Sequence, residues 1–186
     1  MHYLNKGKRG IVYLTRENGR QIVVKKERPG SHALRALHNE AFWLQTLNKH
    51  KIGPRFIRFD DHGLAMEYIK GILFVDWHQH HQGKDGKRII KDIFLQCRTL
   101  DKLRVNKLEM HSPLKHILIR RGKAILIDFE RCKRTLRPKN VTQFCQFLLS
   151  LGCAADRERL KMLLRMYKQH YDKQTFQKII HLFIGF

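Results

Sequence analysis

Gly10-Ile11-Val12-Tyr13-Leu14-Thr15-Arg16-Glu17-Asn18-Gly19-Arg20-Gln21-Ile22-Val23-Val24-Lys25-Lys26 decides how the rest of the chain is read. Two β-branched runs, residues 10–15 and 21–25, flank Glu17-Asn18-Gly19-Arg20. Asn-Gly between such runs marks a hairpin, because both central residues of the tight turn need positive φ. The second run ends on lysine, so an ammonium group sits at the end of a strand. Upstream, Lys6-Gly7-Lys8-Arg9-Gly10 places two glycines where the hairpin opens, and backbone N–H groups there can approach phosphates. Asn5 stands where a third glycine would complete such a loop.

Downstream, Ser31 is placed to cap a helix running to about residue 49, with Leu34, Leu37, Ala41, Leu44 and Leu47 on one face at helical spacing. Glu40 lies inside this helix beside Ala41 and Phe42. A strand-end lysine followed by a glutamate in the next helix, behind a glycine-containing hairpin, is more specific than either charge alone. Gly53-Pro54 breaks the chain, strands follow near 55–59 and 63–68, and Gly71 closes the first half. The second half reads as a helix over 87–104, carrying Ile90, Ile93, Phe94, Cys97 and Leu100 in register. A hairpin then turns at Arg121-Gly122, and three helices lie near 139–151, 156–170 and 173–183. The fold class expected is α+β.

Composition narrows the classes. Of 186 residues, 42% are hydrophobic and 11 are Phe, enough for a packed core and against global disorder. No apolar run approaches the roughly 20 residues needed to span a bilayer, and the polar start argues against an ordinary secretory signal. Cys97, Cys132, Cys145 and Cys153 form no CxxC pair and read as free thiols of a cytoplasmic protein. Lys plus Arg number 38 against 16 acidic residues, a net charge of +22 spread along the chain. Such a surface attracts a polyanion, with RNA or a ribosome as the partner considered. Phe42 and Trp43 read as core. His78, His80 and His81 read as a solvated helix end rather than a metal site.

At this point the sequence resembles the protein-kinase-like family in its compact forms: RIO-type kinases, the kinase subunit of the KEOPS complex and small predicted prokaryotic Ser/Thr kinases. Ile52-Gly53-Pro54-Arg55 is similar to the entry to the fourth strand. Leu64-Ala65-Met66-Glu67-Tyr68-Ile69-Lys70-Gly71 is similar to the fifth strand and hinge, and Ile125-Leu126-Ile127-Asp128-Phe129-Glu130 to the metal-binding segment, with Glu130 in place of glycine. The resemblance implies a two-lobed fold. Residues 1–70 would form a small antiparallel sheet with one helix, and 71–186 a reduced, mainly helical lobe holding the catalytic loop and metal-binding hairpin.

It also implies site roles. ATP would lie at the hinge, its phosphates near Gly7 and Gly10 and its adenine beside Val12, Val23 and Met66 and the backbone of Glu67 and Ile69. Lys25 would meet the phosphates, held by Glu40, with Lys26 as the rival lysine. Asp128 would hold Mg²⁺ or Mn²⁺. The largest departure is Glu109-Met110-His111-Ser112-Pro113-Leu114-Lys115-His116, where the family has His-Arg-Asp-Leu-Lys-x-x-Asn. His111, Leu114 and Lys115 match in type. Pro113 replaces the catalytic Asp, the loop is about two residues short, and His116 falls at the second metal-ligand position. Any base would come from Glu109, His111 or a neighbour.

The function expected is an atypical ATP-dependent phosphotransferase acting on a protein or other hydroxyl-bearing acceptor. The alternatives are a pseudokinase-like nucleotide-binding module, an RNA- or ribosome-binding scaffold, and a sugar or lipopolysaccharide kinase. The oligomeric state is left open.

Overall fold

The computed structural model describes residues 2–6, 10–27, 34–153 and 155–185. Gly7 and Ser31, singled out above, lie outside them. The chain is α+β and divides into two compact units: residues 1–71 with Ile125–Cys132, and residues 72–124 with 133–186. The segment carrying Asp128 thus belongs with the first unit, although the sequence reading placed it with the second half.

The first unit is built on a five-stranded antiparallel sheet in the order β1-β2-β3-β5-β4. Its strands are β1 (His2–Lys6), β2 (Gly10–Glu17), β3 (Arg20–Glu27), β4 (Phe56–Asp60) and β5 (Gly63–Glu67). Asn18 and Gly19 both have positive φ at the β2–β3 turn, as the Asn-Gly pair requires. Helix α1 (Leu34–Asn48) follows β3. It buries Leu37, Ala41, Leu44 and Leu47, the helical stripe read from the sequence. Trp43 is buried as expected, but Phe42 is not core: it is 51% exposed, because it lies one position round the helix from Ala41 and packs edge-on against Trp43. Strand β1 was not anticipated, since it pairs with β2 through a bulge of its own between Tyr3 and Asn5 that breaks its alternation.

The second unit is mainly helical. Its helices are α2 (Phe74–His80), α3 (Gly83–Lys102), α4 (Asn140–Ser150), α5 (Arg157–His170) and α6 (Lys173–Ile184). Short strands β6 (Ile72–Leu73) and β8 (Ile117–Arg120) pair antiparallel. The hairpin at Arg121-Gly122 leads into β9 (Lys123–Leu126), whose last two residues pass into the first unit. Two more short strands, β7 (Val105–Asn106) and β10 (Lys133–Arg134), pair with each other. An aromatic core forms where Phe94 meets Phe144 at 4.9 Å and Phe176 at 6.4 Å, with Phe74 packed on Phe144 and Phe147.

Beneath it runs a buried polar network. Asp101 accepts hydrogen bonds from the backbone and side chain of Asn140, from the Val141 N–H and from the Tyr167 hydroxyl. The Asn140 side chain in turn donates to Val105 O and accepts from the Lys107 N–H. Burial pushes the Asp101 carboxyl up to about 6 despite these donors. Cys97, Cys132, Cys145 and Cys153 are free thiols. Among the described residues no helix is long and apolar enough to cross a membrane.

Candidate functional site

Strand β3 delivers Lys25. Its register places Val12 opposite Lys25 on β2, and Met66 and Leu64 on β5 opposite Val23 and Lys25. Paired residues share a face and neighbours along a strand alternate, so Val12, Val23, Lys25 and Met66 present one face. Ile22, Val24 and Ala65 cluster in the core on the other, with Ile57 packed against them. Lys26 falls on the face opposite to Lys25, so Lys25 is the lysine directed at Glu40.

Helix α1 delivers Glu40 from its buried stripe, one position before Ala41. The Lys25 ammonium donates to both Glu40 oxygens at 2.8 Å, and the Glu40 carboxylate is 1% exposed. The same ammonium lies 3.5 Å from Asp128 Oδ1. Burial alone would lower the pKa of Lys25; the facing carboxylates of Glu40 and then Asp128 outweigh it and hold the ammonium above the ordinary lysine range. Burial pushes Glu40 up, against the pull of Lys25.

Asp128 is presented by a turn that costs backbone energy. Its φ of 64° is in the left-handed region, where a non-glycine residue is strained by roughly 1 kcal/mol. Three contacts hold the turn. The Phe129 N–H donates to Glu40 Oε1 at 3.4 Å, and the Asn39 side chain donates to Glu130 O at 2.7 Å and Cys132 O at 3.0 Å. The Phe129 ring is fully buried against Gly53, where an added Cβ would meet its Cε2 at 2.8 Å. Asn39 was missed by sequence reasoning. Its only signal is a short amide side chain, a poor helix former, one position before the glutamate.

Other expected nucleotide residues fall in the same unit. At Gly10 the missing side chain serves the sheet itself, since a Cβ would lie 2.9 Å from Lys26 O. Met66 is buried, and Ile69 follows β5 with its side chain inside. The Glu67 N–H donates to Arg55 O at 2.9 Å, so this donor is already engaged within the sheet.

His111, Lys115 and His116 belong to the second unit. A 3₁₀ turn at Leu108–His111 leads into a tight turn closed by the His116 N–H on Pro113 O. His111 and Lys115 are exposed, and the His111 ring bonds through Nδ1 to Leu108 O at 2.8 Å. Glu109, the carboxylate considered as a base, is buried and paired at 3.3 Å with Lys107, which is itself fully buried. The histidines at the end of α2 are engaged separately. His78 stacks on Phe74, and His81 stacks on Trp77 and bonds its carbonyl oxygen. Among the described residues no group of three His, Cys, Asp or Glu could hold a metal ion.

The donor set at Lys25 and Asp128 nonetheless suits a nucleotide with its divalent ion. Mg²⁺ is usually held by one or two carboxylates together with phosphate oxygens, not by a full protein cage. The Asp128 side chain is 32% exposed and so accessible to such an ion. Compared with family models and with curated proteins, the chain matches none of either.

Proposed function

We propose that the chain is an atypical, ATP-dependent phosphotransferase of protein-kinase-like fold, transferring phosphate to a protein hydroxyl or a similar acceptor. The observation that carries this reading is the convergence of Lys25, Glu40 and Asp128, separated by up to 103 residues in sequence, around one ammonium. A fully desolvated carboxylate that holds a lysine, with a second and accessible carboxylate beside it, is costly as a purely structural device. It suits the binding of a polyphosphate and its metal. Lys25 would neutralise phosphate oxygens, Glu40 would fix the direction of Lys25, and Asp128 would carry the ion. Magnesium or manganese would supply charge neutralisation of the transferred group. Val12, Val23 and Met66 would offer the adenine an apolar face.

Phosphoryl transfer depends chiefly on positioning and charge, so Pro113 at the place of the usual aspartate does not preclude it. The test is transfer of labelled γ-phosphate from ATP to generic protein acceptors, with Mg²⁺ and with Mn²⁺, by the wild type and by Asp128→Ala. Transfer lost in Asp128→Ala is the expected result. Transfer that survives it places the metal elsewhere. Thermal stabilisation by ATP without transfer marks a nucleotide-binding scaffold.

A further inference from the structure

Most of the positive charge lies in the second unit, but it is not arranged evenly. On α3 the basic residues are interspersed with acids, as in the Asp85–Arg88 ion pair, and on α5 Glu158 pairs with Lys161. From Arg131 to Ala155 there is no acidic residue at all. Within that stretch Lys133, Arg134, Arg137 and Lys139 are all exposed, and Leu136 between them is 85% exposed.

The backbone beneath these side chains is fixed from several sides. β10 pairs with β7 through Lys133–Asn106 and Arg134–Val105. The Thr135 N–H donates to Arg104 O at 2.9 Å, and the Arg104 guanidinium donates back to Leu136 O at 2.8 Å. That guanidinium also sits over the Tyr171 ring at 4.7 Å. The Arg137 N–H donates to Thr135 Oγ1, the Lys139 N–H to Asn106 Oδ1, and the Tyr171 hydroxyl to Pro138 O. Arg104 is thus spent on holding the segment, while the four basic side chains on it project from an ordered mount. Ordering a binding loop in advance removes part of the entropy cost of association.

We infer that Lys133–Lys139 is a preformed binding surface for the phosphate backbone of single-stranded RNA. The net +22 favours a partner with charge along its whole length, which an RNA strand has and a short acidic peptide does not. A flexible strand can fold its phosphates around so short a segment, whereas a stiff duplex presents only the face it meets.

The experiment compares two charge-matched fourfold variants of the full chain. One carries Lys133→Gln, Arg134→Gln, Arg137→Gln and Lys139→Gln; the other carries Lys84→Gln, Lys87→Gln, Lys91→Gln and Lys102→Gln on exposed positions of α3. Binding of a labelled oligouridine is followed by anisotropy across a salt series. The first variant should lose about tenfold or more in affinity at low salt. Its slope of log K against log salt should fall by up to about 3, since each phosphate contact on a single strand contributes about 0.7. The α3 variant should change far less. Equal losses in the two variants would show a diffuse field and overturn the inference, as would tighter binding of oligoglutamate than of the RNA. If the first variant fails to fold, Lys133→Gln with Arg137→Gln replaces it and should show about half the slope change.

Discussion

A Cβ placed on Gly53 would fall 2.8 Å from Cε2 of Phe129 and 3.0 Å from a methyl of Leu44, although 76 residues separate Gly53 from the phenylalanine. Gly53 also has a φ of +85°. Gly53→Ala should therefore destabilise the protein by about 2–4 kcal/mol, combining backbone strain with overpacking. Gly19→Ala shares the positive φ but meets nothing within 4 Å, and should cost only about 1 kcal/mol. Urea unfolding of the two variants measures the difference. Equal losses would mean that the Phe129 contact contributes nothing.

The Lys25–Glu40 pair should behave as a buried ion pair. Lys25→Met strands the Glu40 carboxylate without its counter-charge and should cost roughly 3–5 kcal/mol. Lys25→Met combined with Glu40→Leu removes both charges and should recover most of that loss while remaining unable to gain thermal stability from ATP. A double variant as unstable as the single one would show that the lysine stabilises by packing rather than by charge.

Stability should depend on pH through Asp101. Its folded pKa of about 6 exceeds the ordinary 3.8 because the carboxyl is buried, so the folded state binds more protons between these values. Stability contributed by this group is then greatest below pH 3.8 and falls as pH rises to about 6, by up to about 3 kcal/mol. From pH 4 to 6 the unfolding free energy of the wild type should fall relative to that of Asp101→Asn, and the two should run parallel above that window. Parallel curves throughout would remove Asp101 as the titrating group.

On the proposed function, Asp128→Ala should abolish transfer under Mg²⁺ and Mn²⁺ alike, since the same carboxylate would hold either ion. Pro113→Asp should not raise it: Pro113 is buried in a tight turn, and a carboxylate placed there would face the protein interior. Transfer rates under each metal check both. A large gain in Pro113→Asp would show that the turn opens to the acceptor.

The longer elements and the Lys25–Glu40 pairing were legible because they rest on local pattern, whereas β1 and the two-residue strands were not. Asn-Gly set the hairpin and helical spacing set the buried stripe of α1 beside Glu40, while the choice between Lys25 and Lys26 waited on the strand register. What was not legible depends on contacts across long stretches of chain. The left-handed turn at Asp128 exists because Asn39 and Glu40 grip the residues after it, and no local signal announces that. Phe42 was misread because helical spacing places it only one residue outside the buried stripe. The mount beneath Lys133–Lys139 relies on Arg104 and Tyr171, which sequence alone leaves indistinguishable from other basic and aromatic residues.

Adjacent positions of α1, Asn39 and Glu40, bond to Phe129, Glu130 and Cys132 in turn. The spacing of that segment is therefore metered against a rigid helix. One inserted or deleted residue between Asp128 and Cys132 would move the chain by about 3.3 Å, more than any of those hydrogen bonds can stretch. Length variation should be barred there and free at Asn18-Gly19, whose surroundings are open. Two turns thus differ in whether they can ever change length.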